Sequence, residues 1–516
     1  MKLSTEPRAD LFFPVIFLLL ASAYIAWTWN HELAGMGGDN AFYLLTADYF
    51  SPWSSPSVIA KHFAQHSPYP PLYPLVLGLF GGNKSVLMAH LITTCSLLLG
   101  FIVLRMWFLS LGIGRMTANF AMTLFALLPG TIKNSMFIWS ENQYLLLTLL
   151  ALTMTARFEE RRNSLYLLAA ALAIGGATIT RSAGVSLAAG FCLYLLIHRP
   201  NRAMIMGLLA TLPFTVILFI KNFSNASRGT SYLEAFLAHY RGDPVTKLIT
   251  QAKVESNALW HGWFSNFEPA ALSFLIMLFF IVCLLGMVIR LYQKRLDSFY
   301  LLFYFSVILV WPYPAEAKRM MYVILPILLG QGILLLNHLS RLVLSKKTLQ
   351  PALIFLVVLL VISLPGTLFI FGRFTQPVAA ELKQYKRNKY FYYMNQNVVR
   401  LNILNVKILF EDLRSLDAKL PPKAIIYGVK PSIISFHANR LALLPPGPNS
   451  DWSSFLSKTT GSSDIYFYLM GITSPSMKTP YYPLELIRDR LEILNVANTY
   501  EGEDAPVVAI LAKVKK

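Results

Sequence analysis

The stretch GGDNAFYLLTADYF (37–50), followed by SPYPPLYPLVLGLF (67–80), decides how the rest of the chain is read. Asp39 comes after two glycines, just beyond the first apolar segment. The run Tyr69-Pro70-Pro71-Leu72-Tyr73-Pro74 then leads back into apolar sequence. A carboxylate at the end of a membrane span reads as a functional group by default. It also reads as the N-cap of a helix over Asn40–Tyr49, where its side chain would satisfy free backbone N–H groups. On this stretch alone both readings stand.

Of the 516 residues, 55% are hydrophobic and 14% charged, with a mean hydropathy of +0.51. Ordinary soluble domains carry ~25% charged residues. The composition is that of a polytopic α-helical membrane protein with room for a soluble domain. The net charge of +19 lies in short basic clusters between apolar runs, so it reads as topology signals and not as a nucleic-acid patch. Cys95, Cys192 and Cys283 all fall in apolar segments and imply no disulfide framework.

The first span is Phe12–Trp29. A cleaved signal peptide is the competing reading, with Lys2 and Arg8 as its basic region and Ala21-Ser22-Ala23 as the cleavage site. The apolar run continues past Ala23, which favours a retained span. Further spans are expected at Ser85–Leu109, Thr117–Ile132, Asn142–Ala156, Ser164–Thr180, Ala183–Ile197, Ala203–Ile220, Ala270–Ile289, Ser298–Trp311, Met320–Leu339 and Pro351–Phe371. The expectation is therefore about eleven transmembrane helices.

Basic residues collect in alternate loops: Lys2 and Arg8; Arg105 and Arg115; Arg157, Arg161 and Arg162; Arg199 and Arg202; Arg290, Lys294 and Arg295; Arg341, Lys346 and Lys347. The positive-inside rule makes these loops and the N-terminus cytoplasmic. An odd span count then places everything after Phe371 outside. Asp39, Glu141, Arg181, Lys318 and Arg319 each sit beside a different apolar segment, and this topology puts all five at the extracytoplasmic face. Singly they read as helix caps, snorkelling side chains or interfacial anchors. Together, two carboxylates and three cations suit a site that binds a phosphate and deprotonates a hydroxyl.

Two extracytoplasmic loops are long. Residues 37–82 hold His62, His66 and the proline-tyrosine run; residues 221–269 hold Arg228, His239, Arg241, His261 and the aromatics Trp260, Trp263, Phe264 and Phe267. The aromatics read as an interfacial helix or as the entrance for a lipid substrate. The histidines lack the spacing of a helical metal motif, so no metal site is expected and no cofactor is required. A divalent ion at Asp39 and Glu141 stays open. Residues 1–374 read as the membrane domain with these two loops, and residues 375–516 as a small extracytoplasmic α/β domain. In the latter, Glu381–Asn402 is expected to be a connecting helix. Strands are expected at Lys423–Val429, Leu441–Pro445, Asp464–Met470 and Val507–Val514, and helices at Ser432–His437, Trp452–Lys458 and Leu484–Leu494.

The segments GGDNAFYLL (37–45), YPPLYPLVLGLF (69–80), SENQYLLLTLLAL (140–152), ITRSAGVSLAAGFCLYLL (179–196) and KRMMYVILPILL (318–329), in this order, resemble the polyprenyl-phosphate-sugar-dependent glycosyltransferases of the GT-C superfamily. The protein O-mannosyltransferase and lipid A aminoarabinose transferase groups are the nearest in character. The resemblance implies sugar transfer from a polyprenyl-phosphate carrier to an acceptor hydroxyl on the extracytoplasmic face of a plasma (bacterial inner) membrane. The acceptor class, whether lipid, glycan or protein, stays open, and the partners are that donor, the acceptor and membrane lipids, with no nucleic acid.

By the same resemblance Asp39 would be the catalytic base and Glu141 would support it or bind the acceptor. Arg181, Lys318 and Arg319 would hold the carrier phosphate. His66, Tyr69, Tyr73 and Tyr322 would line the donor or acceptor pocket. The chain departs from the pattern twice: Pro68 and Tyr69 stand where aminoarabinose transferases carry a Glu-Lys pair, and Met320 follows Arg319 where Tyr is usual. A lipid or sugar transporter, and a non-catalytic lipid-binding protein of the same fold, are the competing classes. A transporter should show paired half-repeats and midplane polar residues, and the sequence shows neither clearly.

Overall fold

The structure is a computed structural model. It describes residues 7–29, 38–223, 239–264, 273–311, 313, 316–343, 351–375, 396–447, 450–459, 465–470, 487–498 and 507–515. Arg228, Phe267 and the first part of the expected connecting helix, 381–395, lie outside the described residues.

The chain forms two compact units. One comprises Met1–Asn30, His66–Tyr73 and His90–Gly372; the other comprises His31–Gln65, Pro74–Ala89 and Arg373–Lys516. The second unit thus combines part of the first long loop with the C-terminal third of the chain.

The first unit is helical. Among the described residues three helices are long and apolar enough to cross a membrane: Val86–Ser110, Ala317–Leu342 and Pro351–Leu368. A fourth span results if Met277–Tyr292 and Leu296–Leu309, bent by 118°, count as one. Shorter apolar helices cover Phe12–Thr28, Ser164–Thr178, Gly184–His198 and Ala203–Ile217.

The segment expected as one span over Thr117–Ile132 is two helices, Arg115–Leu127 and Pro129–Ser135. Leu128 between them is extended, with φ −62° and ψ 138°. The following proline excludes the helical conformation there, and proline then opens the next helix comfortably at its first position. That break creates the short helix that carries Lys133.

The second unit contains a five-stranded mixed sheet: β1 (Ile425–Tyr427), β2 (Leu441–Leu443), β3 (Ile465–Met470), β4 (Leu491–Asn498) and β5 (Val507–Val514). Their order is β2-β1-β3-β5-β4. β1 runs parallel to β2 and β3, while β5 runs antiparallel to β3 and β4. The core gathers Trp452, Leu456, Phe467, Ala512 and Val514. Asp412, on the helix Gln396–Lys419, accepts from Tyr468 Oη (2.7 Å) and Asn495 Nδ2 (2.8 Å). It thereby ties that helix to β3 and β4.

Of the helix expected over Leu484–Leu494, residues 484–486 lie outside the described residues, and residues 488–494 are not α-helical. A 3₁₀ turn at Arg488–Arg490 leads into β4, whose Leu491 pairs with Val514. The spacing of Leu484, Ile487, Leu491 and Leu494 imitates a helical stripe, but pairing along β5 overrides it.

Also in the second unit, the helix Gly38–Phe50 lies against the helix Pro431–Ala438. Ser432 Oγ donates to the Gly38 carbonyl at 2.9 Å. A Cβ on Gly38 would stand 2.8 Å from that hydroxyl, so a methyl there would turn the Ser432 side chain away from this bond.

Candidate active site

Within the first unit the structure brings together three of the five charged residues singled out from the sequence. Glu141 opens the helix Glu141–Arg161, where a carboxylate is favoured by the helix dipole. It is buried, with 1% of its surface exposed. Arg181 lies in the break between the helices Ser164–Thr178 and Gly184–His198. Arg319 lies on the short helix Ala317–Tyr322, the first part of the span Ala317–Leu342, which a turn at Val323 and Ile324 interrupts.

Arg181 Nη1 is 2.5 Å from Glu141 Oε1, and Arg319 Nε is 3.0 Å from the same oxygen. Arg181 Nη1 also donates to Ser140 Oγ at 3.3 Å. Arg319 sits over the Trp139 ring, 4.9 Å from its centroid, and 3.7 Å from Glu316 Oε1. Glu141 Oε2 is buried and has no hydrogen-bond partner among the described residues. Two guanidiniums thus share the Glu141 carboxylate, and Arg319 also faces Glu316.

Lys133 and Lys318 add two cations on neighbouring helices. Lys318 is exposed and lies within electrostatic range of Lys133. Burial, and secondarily the charge of Lys318, push the Lys133 ammonium down to about 8. Several cations gathered on neighbouring elements are suited to an anion, and paired guanidiniums are suited to a phosphate.

The expected pocket residues of this unit divide. Tyr322 is buried and donates to Asn142 Oδ1 at 3.0 Å, with its ring stacked on Phe125 at 5.7 Å. Tyr73 is buried and shares a 2.7 Å hydrogen bond with Thr93 Oγ1. Tyr69 is half-buried and His66 exposed. The Leu72 amide donates to the Ile179 carbonyl at 2.9 Å. That bond anchors the proline-tyrosine run two residues from Arg181.

Asp39 belongs to the second unit. It lies in the first turn of Gly38–Phe50, one residue inside the helix and not ahead of it, and is half-buried. Lys430, next to Pro431 at the helix start, is its electrostatic partner there. Burial pulls the Lys430 ammonium down and the Asp39 charge pulls it back up.

Sequence reading missed Lys133, Trp139, Asn142 and Glu316. The available signal was the segment KNSMFIWSEN (133–142), a lone lysine in a loop otherwise without basic residues, leading directly to Glu141. Among the described residues no group of three or more His, Cys, Asp and Glu side chains could hold a metal ion.

Neither a family model nor a curated protein matches the chain. Solved structures do. ArnT from Cupriavidus metallidurans in the apo state aligns over 98% of each chain, with a TM-score of 0.53 and 13% identity. The same protein bound to undecaprenyl phosphate aligns over 98% of this chain and 97% of that one, with a TM-score of 0.51 and 13% identity. An Archaeoglobus fulgidus oligosaccharyltransferase tethered with an acceptor peptide aligns over 96% of this chain and 74% of that one, at 12% identity and a TM-score of 0.49. The chain has the ArnT fold.

Proposed function

We propose that this chain is an integral-membrane glycosyltransferase that moves a sugar from a polyprenyl-phosphate carrier to an acceptor hydroxyl at the extracytoplasmic face. The observation that carries the reading is the buried triad Arg181–Glu141–Arg319, two guanidiniums on one carboxylate, in a chain folded like a protein that binds undecaprenyl phosphate. Arg181, Arg319, Lys318 and Lys133 hold the carrier phosphate. Glu141 keeps the two guanidiniums in place and, through its second oxygen, is available to the acceptor. Tyr322, Tyr73, Tyr69 and His66 line the donor or acceptor pocket.

Phosphate is a leaving group already stable as an anion, so it needs charge stabilisation more than protonation, and preorganised cations in a water-poor site supply that. Asp39 takes the proton of the acceptor hydroxyl. That role rests on the resemblance, and Lys430 is the electrostatic partner of Asp39 within its own unit. The acceptor oxygen bonds to the anomeric carbon as the carbon–phosphate oxygen bond breaks, and a single displacement inverts that centre. The carrier leaves as polyprenyl phosphate. No metal step is needed, and turnover should persist in a chelator. The enzyme works in the plasma membrane of a bacterium, with the N-terminus cytoplasmic and residues 375–516 extracytoplasmic.

The test is transfer in proteoliposomes from a panel of polyprenyl-phosphate monosaccharides, radiolabelled in the sugar, to envelope lipid, glycan and protein acceptors. Label appearing in one acceptor class supports the reading. Movement of intact labelled carrier across the bilayer without transfer would support a transporter, and binding with neither would support a non-catalytic lipid-binding protein.

A further inference from the structure

The helix Pro244–Phe264 carries a polar face that the reaction outlined above leaves unused. It packs in the first unit against the helix of Arg319 and the helix of Lys133. The second contact is backbone to backbone: a Cβ on Gly130 would lie 2.8 Å from the Gly262 carbonyl oxygen and 3.0 Å from its Cα.

Gln251 and Glu255 stand four residues apart on this helix, hence on one face. Both are buried, with 2% and 7% of their surface exposed. Gln251 Nε2 donates to the Ile308 carbonyl at 3.2 Å. Gln251 Oε1 and Glu255 Oε1, by contrast, are buried oxygens without a hydrogen-bond partner among the described residues.

The tyrosines within electrostatic range of Glu255 are engaged elsewhere. Tyr240 Oη donates to the Leu309 carbonyl at 2.9 Å, and Tyr304 Oη to the Met320 carbonyl at 2.8 Å. Tyr304 is also within electrostatic range of Glu141 and Arg181, so the polar face borders the ion cluster.

Two buried acceptor oxygens one turn apart, beside a cluster of cations, call for a ligand that brings donors and no negative charge of its own. We infer that Gln251 and Glu255 recognise the hydroxyl groups of the sugar on the carrier lipid, while the neighbouring cations take its phosphate. The inference rests on the glycosyltransferase reading and names the part of the same site that selects the sugar. Burial pushes the Glu255 carboxyl up to about 7, so near neutral pH the group can both accept and donate, as a hydroxyl partner requires.

The test is binding to purified full-length protein of bare undecaprenyl phosphate and of a panel of undecaprenyl-phosphate monosaccharides. The wild type should bind one or more sugar-bearing carriers about tenfold or more tighter than the bare lipid. Gln251→Leu and Glu255→Leu should each reduce that preference to about threefold or less, with bare-lipid affinity held within about threefold. Glu255→Gln keeps an acceptor oxygen and the side-chain shape, so it should retain most of the preference and guards against a leucine variant that fails to fold.

A wild type with no preference for any sugar-bearing carrier overturns the inference, as does a preference unchanged in Gln251→Leu and in whichever Glu255 variants fold. A preference lost as fully in Glu255→Gln as in Glu255→Leu assigns the carboxylate charge, not hydroxyl recognition, and also overturns it. A wild type that binds neither bare nor glycosylated carrier defeats the glycosyltransferase reading itself.

Discussion

Arg181 Nη1 and Glu141 Oε1 are 2.5 Å apart, and both side chains are buried. Arg319 shares the same oxygen at 3.0 Å. Glu141 thus joins three separate segments of the first unit through one carboxylate. Removing it would take the carboxylate from buried Arg181 and leave Arg319 only the more distant Glu316, and breaking a buried pair typically costs about 3–5 kcal/mol. Glu141→Ala should lower thermal stability by that order, and Glu141→Gln by less, because the amide oxygen can still accept. Glu141→Ala within about 1 kcal/mol of the wild type would mean that the ion cluster contributes little to the fold.

Arg181→Ala and Arg319→Ala should each weaken binding of undecaprenyl phosphate. A charge-assisted hydrogen bond is worth roughly 1.5–3 kcal/mol, equivalent to about one to two orders of magnitude in affinity. Each single variant still leaves Glu141 one arginine, so the fold should hold. Titration of the carrier lipid into folded protein decides the matter, and an unchanged affinity removes that arginine from the phosphate site.

Lys133 gives the site a pH signature. Its ammonium is held at about 8, against an ordinary 10.5. The charge is present below about 8 and is lost as the pH rises through that value. Carrier affinity should therefore fall between about pH 7.5 and 9, and the fall should be flattened in Lys133→Met. The folded value lies below the unfolded one, so the unfolded chain holds the proton more tightly in that window. Stability itself should consequently rise from pH 8 toward 10.5. Equal slopes in wild type and Lys133→Met would exclude Lys133 from carrier binding.

Much of the ion cluster was legible in the sequence because charge is conspicuous in apolar chains. Glu141, Arg181 and Arg319 stood out as polar residues at the ends of apolar runs, and loop charges assigned them to one face. Lys133 escaped because Pro129 was not weighed as a helix break, so the lysine looked like the tail of a span. Gln251 and Glu255 escaped because the segment around them is polar enough to read as an ordinary loop helix. Only packing shows that their face is buried. In the C-terminal part, β1, β2, β3 and β5 were legible from short apolar runs between turn signals. β4 was not, because its leucines also fit a helical period and only the partner strand decides between the two.

The contact between Gly130 and Gly262 should be intolerant of a methyl group. The clash at 2.8 Å is with backbone, which cannot rotate away. Gly130→Ala should destabilise by about 1–3 kcal/mol. By displacing the Lys133 helix it should also weaken carrier binding. A variant with wild-type melting temperature and affinity would show that the two helices can separate without consequence.

The most direct test concerns Asp39. Asp39→Asn keeps the shape and serves a helix start about as well as aspartate does, but it cannot take a proton. Sugar transfer and carrier-lipid affinity should be measured on the same purified Asp39→Asn protein, using the donor that the wild type turns over. If Asp39 is the base, turnover falls by ~10²–10⁴-fold while carrier affinity persists. Near-normal turnover would contradict the assignment and leave Asp39 as a residue that only stabilises the start of its helix.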